Sequence, residues 1–352
     1  MRKITVVVTA RASYARCLTM LRALHQRRDA ELCVAMEVGL WNMLGKAKQE
    51  SFFRRPLHSH VDGEKPWDAV TFTGELLEEL AGWFADEKPD LVVTIGDRYE
   101  TMATAIAASY EGIPLAHLQG GEVSGNIDDK VRNAVTQLAD FHFVATERSE
   151  WRVMDRGADH TRVYRTGCPS IDLAKEAEQR LDLRPIEPGL MVLMHPETET
   201  WQIYPEQMEC LREAIDGLAF SGPVTWFTPN PDPKSQWDGS HYPAVSQSPE
   251  RFLASLNMAA CLVGNSSAGV REASYFGTPV VNIGSRQKGR ERAGNVVDVP
   301  HDSAAIIKAI RQQIGHGRYQ PSQLYGDGHA GERITDLLAT IPLERGRTGV
   351  NA

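Results

Sequence analysis

The residues best suited to chemistry in this chain lie in one small polar turn, Gly264-Asn265-Ser266-Ser267-Ala268-Gly269-Val270-Arg271-Glu272-Ala273. It follows an apolar run, Cys261-Leu262-Val263, and opens a helical run that reaches Phe276. At a helix start the first backbone N–H groups have no internal partner, and the positive end of the dipole faces the turn, so a strand–turn–helix junction can hold an anion. Asn265, Ser266 and Ser267 are the candidate contacts, because small residues let a diphosphate come close to the backbone. Glu272, about two turns along the helix, could accept bonds from a sugar hydroxyl. The turn therefore implies a phosphorylated, sugar-bearing ligand.

Acidic residues sit in comparable places. Gly96-Asp97-Arg98 follows the strand-like run Leu91–Ile95. Asp97 reads either as a cap for the next helix or as a carboxylate at a strand mouth, held ionised by the adjacent guanidinium. Gly120-Gly121-Glu122 follows Pro114–Leu118, and Asp128-Asp129 stands just before the next helix. Asp128 or Asp129 suits capping, whereas Glu122 lies in a glycine-rich loop with no helix to cap. If Asp97, Glu122 and Asp128 share one rim, their charges push their pKa values apart, which suits one to take a proton and another to give it. His195, at the end of Leu190–Met194, reads as a structural histidine, as a cation beside a leaving phosphate, or as a base. The basic run from Arg286 to Arg292 follows another strand; Arg286, Gln287 and Arg290 within it, with Arg11 after the first strand, are candidates for phosphate oxygens. The first turn, Thr9-Ala10-Arg11-Ala12-Ser13, lacks the glycines of a P-loop or a dinucleotide fingerprint, which argues against ATP and NAD.

These loops need a scaffold, and the apolar pattern supplies one. Ile4–Thr9, Glu31–Met36, Leu91–Ile95, Pro114–Leu118 and Phe141–Ala145 read as strands, alternating with helices over Tyr14–Gln26, Gly74–Phe84, Tyr99–Tyr110 and Lys130–Ala139. The strands are apolar throughout, as expected when helices cover both faces of a parallel sheet. A proline-bearing break near Leu181–Gly189 is the linker candidate. Alternation then resumes with strands at Leu190–Met194, Val224–Phe227, Cys261–Val263 and Val280–Ile283 and helices at Pro205–Leu218, Pro249–Leu256, Ala268–Phe276 and Ser303–Gly315. Thr228–Ser248 reads as a long loop. Two α/β domains, 1–182 and 183–352, are expected, with ligand bound beyond the carboxyl ends of the strands and between the domains.

Composition agrees with this layout. At 352 residues, 42% apolar and 24% charged, the chain suits two soluble domains. No apolar run nears the roughly 18 to 20 residues that span a bilayer, and the start, Met1-Arg2-Lys3, leads straight into a strand, so no membrane and a cytoplasmic location are expected. The five cysteines, Cys17, Cys33, Cys168, Cys210 and Cys261, form no CxxC pair, so neither a disulfide framework nor a zinc site is expected. A net charge of −8 argues against nucleic acid as a partner.

In this order the motifs resemble the hydrolysing UDP-N-acetylglucosamine 2-epimerases of sialic acid biosynthesis. The match is carried by Arg11, Gly96-Asp97-Arg98, Gly120-Gly121-Glu122, Ile127-Asp128 with Arg132, His195-Pro196, Pro229-Asn230 with Asp232, Gly264 to Ala273, Phe276-Gly277-Thr278-Pro279, Val281 to Gly284, Arg286-Gln287 and Gly289-Arg290, over roughly residues 3 to 300. Ser13, Gln119, the stretch Glu197 to Thr200 and Pro233-Lys234 depart from the usual pattern.

The resemblance implies a GT-B fold, two Rossmann-like doubly wound domains around a cleft, with the last helix packing back on the first. It implies no cofactor, no metal, a nucleotide-sugar substrate and a homodimer or homotetramer. It also implies a two-stage reaction: elimination of UDP to a 2-acetamidoglucal, then addition of water to release free N-acetylmannosamine. By position Asp97, Glu122 and Asp128 match the acid–base carboxylates and His195 the residue beside the diphosphate. Arg11, Ser266 and Ser267 match phosphate binders, Glu272 the ribose holder, and Asn230, Asn265, Arg286, Gln287 and Arg290 further nucleotide contacts. A 2,4-diacetamido sugar or GDP would fit the same motifs. The rival readings are a GT-B glycosyltransferase, a non-hydrolysing epimerase and a catalytically dead nucleotide-sugar sensor.

Overall fold

A computed structural model describes residues 1–37, 40, 53–57, 68–125, 127–180, 182, 188–197, 201–229 and 244–344, with backbone alone at 11, 53, 54, 68 and 201. The chain divides into two compact units. Unit 1 takes Met1–Glu122, Asp128–Asp172 and Gly326–Ala352; unit 2 takes Val123–Ile127 and Leu173–Tyr325. Most of the proline-bearing break at 181–189, most of the Thr228–Ser248 loop, and the last eight residues lie outside the described residues.

Unit 1 alternates β1 (Arg2–Val8), α1 (Arg11–His25), β2 (Ala30–Glu37), β3 (Phe53–Leu57), α2 (Asp68–Glu87), β4 (Leu91–Ile95), α3 (Tyr99–Tyr110), β5 (Leu115–Leu118), α4 (Asp128–Leu138), β6 (Phe141–Val144), α5 (Glu147–Asp155), β7 (Val163–Arg165) and the start of α6 (Pro169–Gln179), which from Leu173 onward belongs to unit 2. Its described strands form one sheet, β3-β2-β1-β4-β5-β6-β7, all parallel. Val6 of β1 stands level with Val34 of β2 and Val93 of β4. Every residue of β4 and β5 is buried, which is why these strands read as unbroken apolar runs. Chain order reverses between β1 and β4, so the loops after these two strands flank the place where doubly wound sheets hold ligands. The last helix, α12 (Ala330–Thr340), belongs to this unit. Asp172 accepts hydrogen bonds from Ala330 N at 2.9 Å and Gly331 N at 2.6 Å and so caps it.

Unit 2 contains β8 (Leu190–Leu193), α7 (Tyr204–Asp216), β9 (Val224–Trp226), α8 (Pro249–Met258), β10 (Cys261–Gly264), α9 (Ser267–Val270), α10 (Glu272–Phe276), β11 (Val280–Ile283), β12 (Val296–Val299) and α11 (Ser303–His316). Its described strands order as β12-β11-β10-β8-β9, again parallel. Counted from β8, this is a flavodoxin-like order whose reversal lies between the first strand, β8, and the third, β10. Its core joins Leu190, Val192, Val263 and Ile283 of the sheet to Leu211, Ile306 and Ile310 of the helices.

One element differs from the sequence expectation at a place that bears on function. The helix expected over Ala268–Phe276 is two short helices broken at Arg271. The Arg271 carbonyl accepts from Ser274 Oγ at 2.7 Å as well as from Ser274 N at 3.2 Å. A serine hydroxyl competing for a helical carbonyl favours a local break. Arg271 itself is buried, its guanidinium over the Tyr325 ring at 6.0 Å from the centroid.

Candidate functional site

In unit 1 the side chain that organises the acidic loops is Arg132, on α4 and 1% exposed. Its Nη2 is ion-paired with Asp97 Oδ2 and its Nη1 with Asp129 Oδ1, and Nη1 also donates to the backbone carbonyl of Glu122 at 2.6 Å. Burial alone would lower the guanidinium pKa, but the charges of Asp97, Glu122 and Asp129 outweigh it and hold the pKa above its ordinary value. One buried cation thus gathers three acidic residues from three segments, 35 positions apart for Asp97 and Arg132.

Asp97 does not cap the helix that follows it. The cap position of α3 is Arg98, whose own side chain makes no capping hydrogen bond. Asp97 is left to face Arg132, and the turn before it is fixed from below. His117, wholly buried on β5, places Nε2 2.8 Å from the carbonyl of Gly96 and Nδ1 3.1 Å from Thr136 Oγ1. A carbonyl only accepts, so Nε2 carries the proton and Nδ1 is the lone-pair nitrogen. Burial pushes the His117 pKa down to about 4, so the ring is neutral at neutral pH. Glu122 is buried and Asp128 half-buried, the latter at the first position of α4 beside Asp129. Asp129 and His117 were not among the expected site residues, and Arg132 was only a motif position. The one local signal was the i, i+3 spacing of Asp129 and Arg132 on a helix.

In unit 2 the loops after β8, β10 and β11 are tied together. Asn265 is fully buried after β10. Its side-chain amide accepts from His195 N at 2.7 Å and donates to His195 O at 2.8 Å. Its own carbonyl accepts from Arg286 Nη1 at 3.2 Å and Gln287 Nε2 at 2.9 Å. His195 and Asn265 therefore straddle the reversal point of the sheet, with Arg286 and Gln287 drawn in from the next loop. The residue before Asn265 has to be glycine: a Cβ on Gly264, at φ +139, would lie 2.0 Å from Leu193 O. Ser266 caps α9 through Ala268 N at 3.3 Å, and Ser267 is the first residue of that helix. Glu272, 8% exposed, opens α10, and its Oε2 is buried with no hydrogen-bond partner among the described residues. Buried carboxylate oxygens are rarely left so, and a ligand hydroxyl is the chemistry that would complete this one. Arg290 is buried in the same loop as Arg286. The backbone of Arg11 opens α1, but its side chain, and all of Asn230, lie outside the described residues.

With these two arrangements in view, comparison with known proteins is decisive. The family described as UDP-N-acetylglucosamine 2-epimerase matches residues 41–339. This chain belongs to the UDP-N-acetylglucosamine 2-epimerase family. It is 32% identical over 379 residues to a Legionella pneumophila protein named UDP-N,N'-diacetylbacillosamine 2-epimerase (hydrolyzing), covering 97% of each chain. Among solved structures it is similar to the Methanocaldococcus jannaschii UDP-GlcNAc 2-epimerase in complex with UDP-GlcNAc and UDP (TM-score 0.77, 18% identity, 96% of this chain and 99% of the other). It is also similar to S. aureus MnaA with UDP (TM-score 0.78, 21% identity, 96% of each). The family drawn from the motifs and the GT-B type of fold, two Rossmann-like units with doubly wound parallel sheets, both stand for this epimerase-family chain. None of its described helices is long and apolar enough to cross a membrane.

Proposed function

We propose that the protein is a hydrolysing 2-epimerase of a UDP-linked 2-acetamido sugar, converting it to the free 2-epimer and UDP. The observation that carries this reading is the gathering of Asp97, Glu122 and Asp129 on the buried Arg132. The hydrogen on carbon 2 of such a sugar is not acidic, since no carbonyl lies beside it. Its removal has to be coupled to departure of the diphosphate, through a transition state with positive character at carbon 1. Carboxylates held in place can take that proton and stabilise that charge without reorganising. In our reading one carboxylate among Asp97, Glu122 and Asp128 takes the carbon 2 proton while the carbon 1–oxygen bond breaks, its electron pair leaving on UDP. A 2-acetamidoglucal forms. Water then adds at carbon 1, a proton returns to carbon 2 from the opposite face, and the free sugar departs.

Unit 2 supplies the nucleotide contacts in this proposal. Ser266, Ser267, Arg286, Arg290 and His195 serve the diphosphate, and the unpartnered oxygen of Glu272 serves the ribose. The hydrolysing branch is favoured by the name of the Legionella relative, which also makes a 2,4-diacetamido trideoxyhexose the first substrate to try, ahead of N-acetylglucosamine. A cytoplasmic homodimer or homotetramer belongs to the same proposal, and light scattering counts the subunits.

The experiment is incubation with UDP-N,N'-diacetylbacillosamine and, separately, UDP-N-acetylglucosamine in deuterated water, followed by NMR. The expected result with one of them is released UDP and a free sugar carrying deuterium at carbon 2. A product still attached to UDP would place the protein in the non-hydrolysing branch, and turnover only with an added acceptor would make it a glycosyltransferase.

A further inference from the structure

Glu197 lies two residues beyond His195, in a stretch where the chain departs from the usual motif. Its carboxylate reaches across to the loop after β11. Oε1 accepts from Ser285 N at 3.1 Å and from Arg286 N at 3.2 Å, and Oε2 accepts from Ser285 Oγ at 2.9 Å. The residue before them is Gly284 at φ +76, where a Cβ would lie 2.7 Å from Glu197 Oε1 and 2.5 Å from His301 Nε2. A left-handed residue followed by amides converging on one point is a concavity that binds anions. Here the anion is the protein's own carboxylate, and the glycine leaves room for it.

The consequence lies one residue on. With its backbone amide held by Glu197, Arg286 turns its Nη1 to the carbonyl of Asn265, and Gln287 Nε2 reaches the same oxygen. Asn265 is in turn bonded to His195, two residues before Glu197. The links form a closed circuit: Glu197 to Ser285 and Arg286, Arg286 to Asn265, Asn265 to His195, and His195 along the chain back to Glu197. All of it lies in unit 2. We infer that Glu197 is a positioning residue, which clamps the β11 loop so that Arg286 and Gln287 are presented to the diphosphate of the nucleotide sugar. The inference rests on the reading of unit 2 as the nucleotide-binding half. It adds that a negatively charged side chain, not itself touching the ligand, sets the affinity for an anion.

The test is binding of UDP by calorimetry to the full chain and to Glu197→Ala and Glu197→Gln, with steady-state kinetics and thermal unfolding of the same proteins. Hydrogen bonds to a charged acceptor are worth enough that Glu197→Ala should weaken UDP binding, and raise KM, by about 10- to 100-fold, with kcat changed by less than about threefold. Glu197→Gln keeps one oxygen acceptor and should lose about three- to tenfold. A loss confined to Tm and to the active fraction, with UDP affinity of the folded protein unchanged in both variants, overturns the inference and leaves the functional reading intact. Wild-type protein that binds no UDP refutes that reading, and the inference falls with it.

Discussion

The side-chain amide of Asn265 makes both of its hydrogen bonds to the backbone of one residue, His195, 70 positions earlier. It thereby continues the parallel pairing of β8 and β10, which runs to Leu193 and Gly264, past the ends of the strands. Extending a ladder with a side chain holds two loops together at the point where the sheet reverses order, where backbone pairing has to stop. Asn265→Asp keeps the acceptor for His195 N but sets a second oxygen against His195 O. The expected cost is about 1–3 kcal/mol of stability, typical for a buried group left unsatisfied, read from the urea midpoint. UDP affinity should fall with it, because Arg286 and Gln287 share the Asn265 carbonyl.

Arg132 is the second point at which one side chain decides the placement of several. Arg132→Met leaves Asp97 and Asp129 without the cation they face, and breaking a buried pair in this way costs about 3–5 kcal/mol, measurable by denaturant unfolding. A carboxylate that loses a neighbouring cation is protonated more readily. The acid limb of the pH–rate profile should therefore move to higher pH in any variant stable enough to assay. Arg132→Lys, which keeps the charge but not the planar fork, should recover stability more fully than turnover. A profile unchanged in Arg132→Lys and Arg132→Met would detach this cluster from the reaction.

Glu122 touches Arg132 through its backbone carbonyl, so a substitution that changes only the carboxylate leaves that hydrogen bond in place. Glu122→Gln is thus a clean probe of the charge. If Glu122 takes or gives a proton in the reaction, the substitution should cost roughly 2–4 kcal/mol of transition-state stabilisation, seen in kcat more than in KM. Turnover near that of the wild type would remove Glu122 from the mechanism.

Elements whose residues are buried on both faces were the ones whose bounds were most legible in the sequence. β4 and α3 have the expected bounds, Leu91–Ile95 and Tyr99–Tyr110, and β11 has Val280–Ile283, because a run of Leu, Val, Ile or Ala hidden by neighbours needs no alternation to be recognised. Several elements not foreseen lie at edges or on the surface, but α6 was missed as well, although Ile171, Leu173, Ala174 and Ala177 are buried. β7 pairs along one side only, and its three residues run from buried to exposed. The edge strand β12 has no buried residue. α5, Glu-Arg-Ser-Glu-Trp-Arg-Val-Met-Asp, buries just Ser149 and Val153, so its apolar stripe is too thin to read and its start is marked mainly by the Thr146 cap. Site legibility follows a similar division. Loops after strands were found because a polar turn at the end of an apolar run stands out. The partners that hold those loops were not, because His117 looks like one more strand residue and the pairing of Arg132 with Asp97 spans 35 positions that only the folded sheet brings together.

The buried histidines supply a pH dependence whose sign can be worked out. Burial lowers the pKa of His117 from 6.5 to about 4 and that of His142, on the adjacent strand, to about 3, with His117 adding to the effect on His142. As pH falls through 6.5 the unfolded chain takes up protons that the folded chain refuses. Unfolding then binds protons, and folding stability drops with falling pH across the window from about 6.5 down to each folded value. For His117 alone the full drop is about 3 kcal/mol, the stability being wholly present above pH 6.5 and lost by pH 4. Protonation of His117 adds its hydrogen at Nδ1, which faces Thr136 Oγ1, while the Nε2–H bond to the Gly96 carbonyl is kept. His117→Gln, neutral at all pH values, should flatten the dependence of the urea midpoint between pH 6.5 and 4 by up to one proton, or about 1.4 kcal/mol per pH unit. A midpoint that follows pH equally steeply in this variant and in the wild type would show that the acid sensitivity resides elsewhere in the chain.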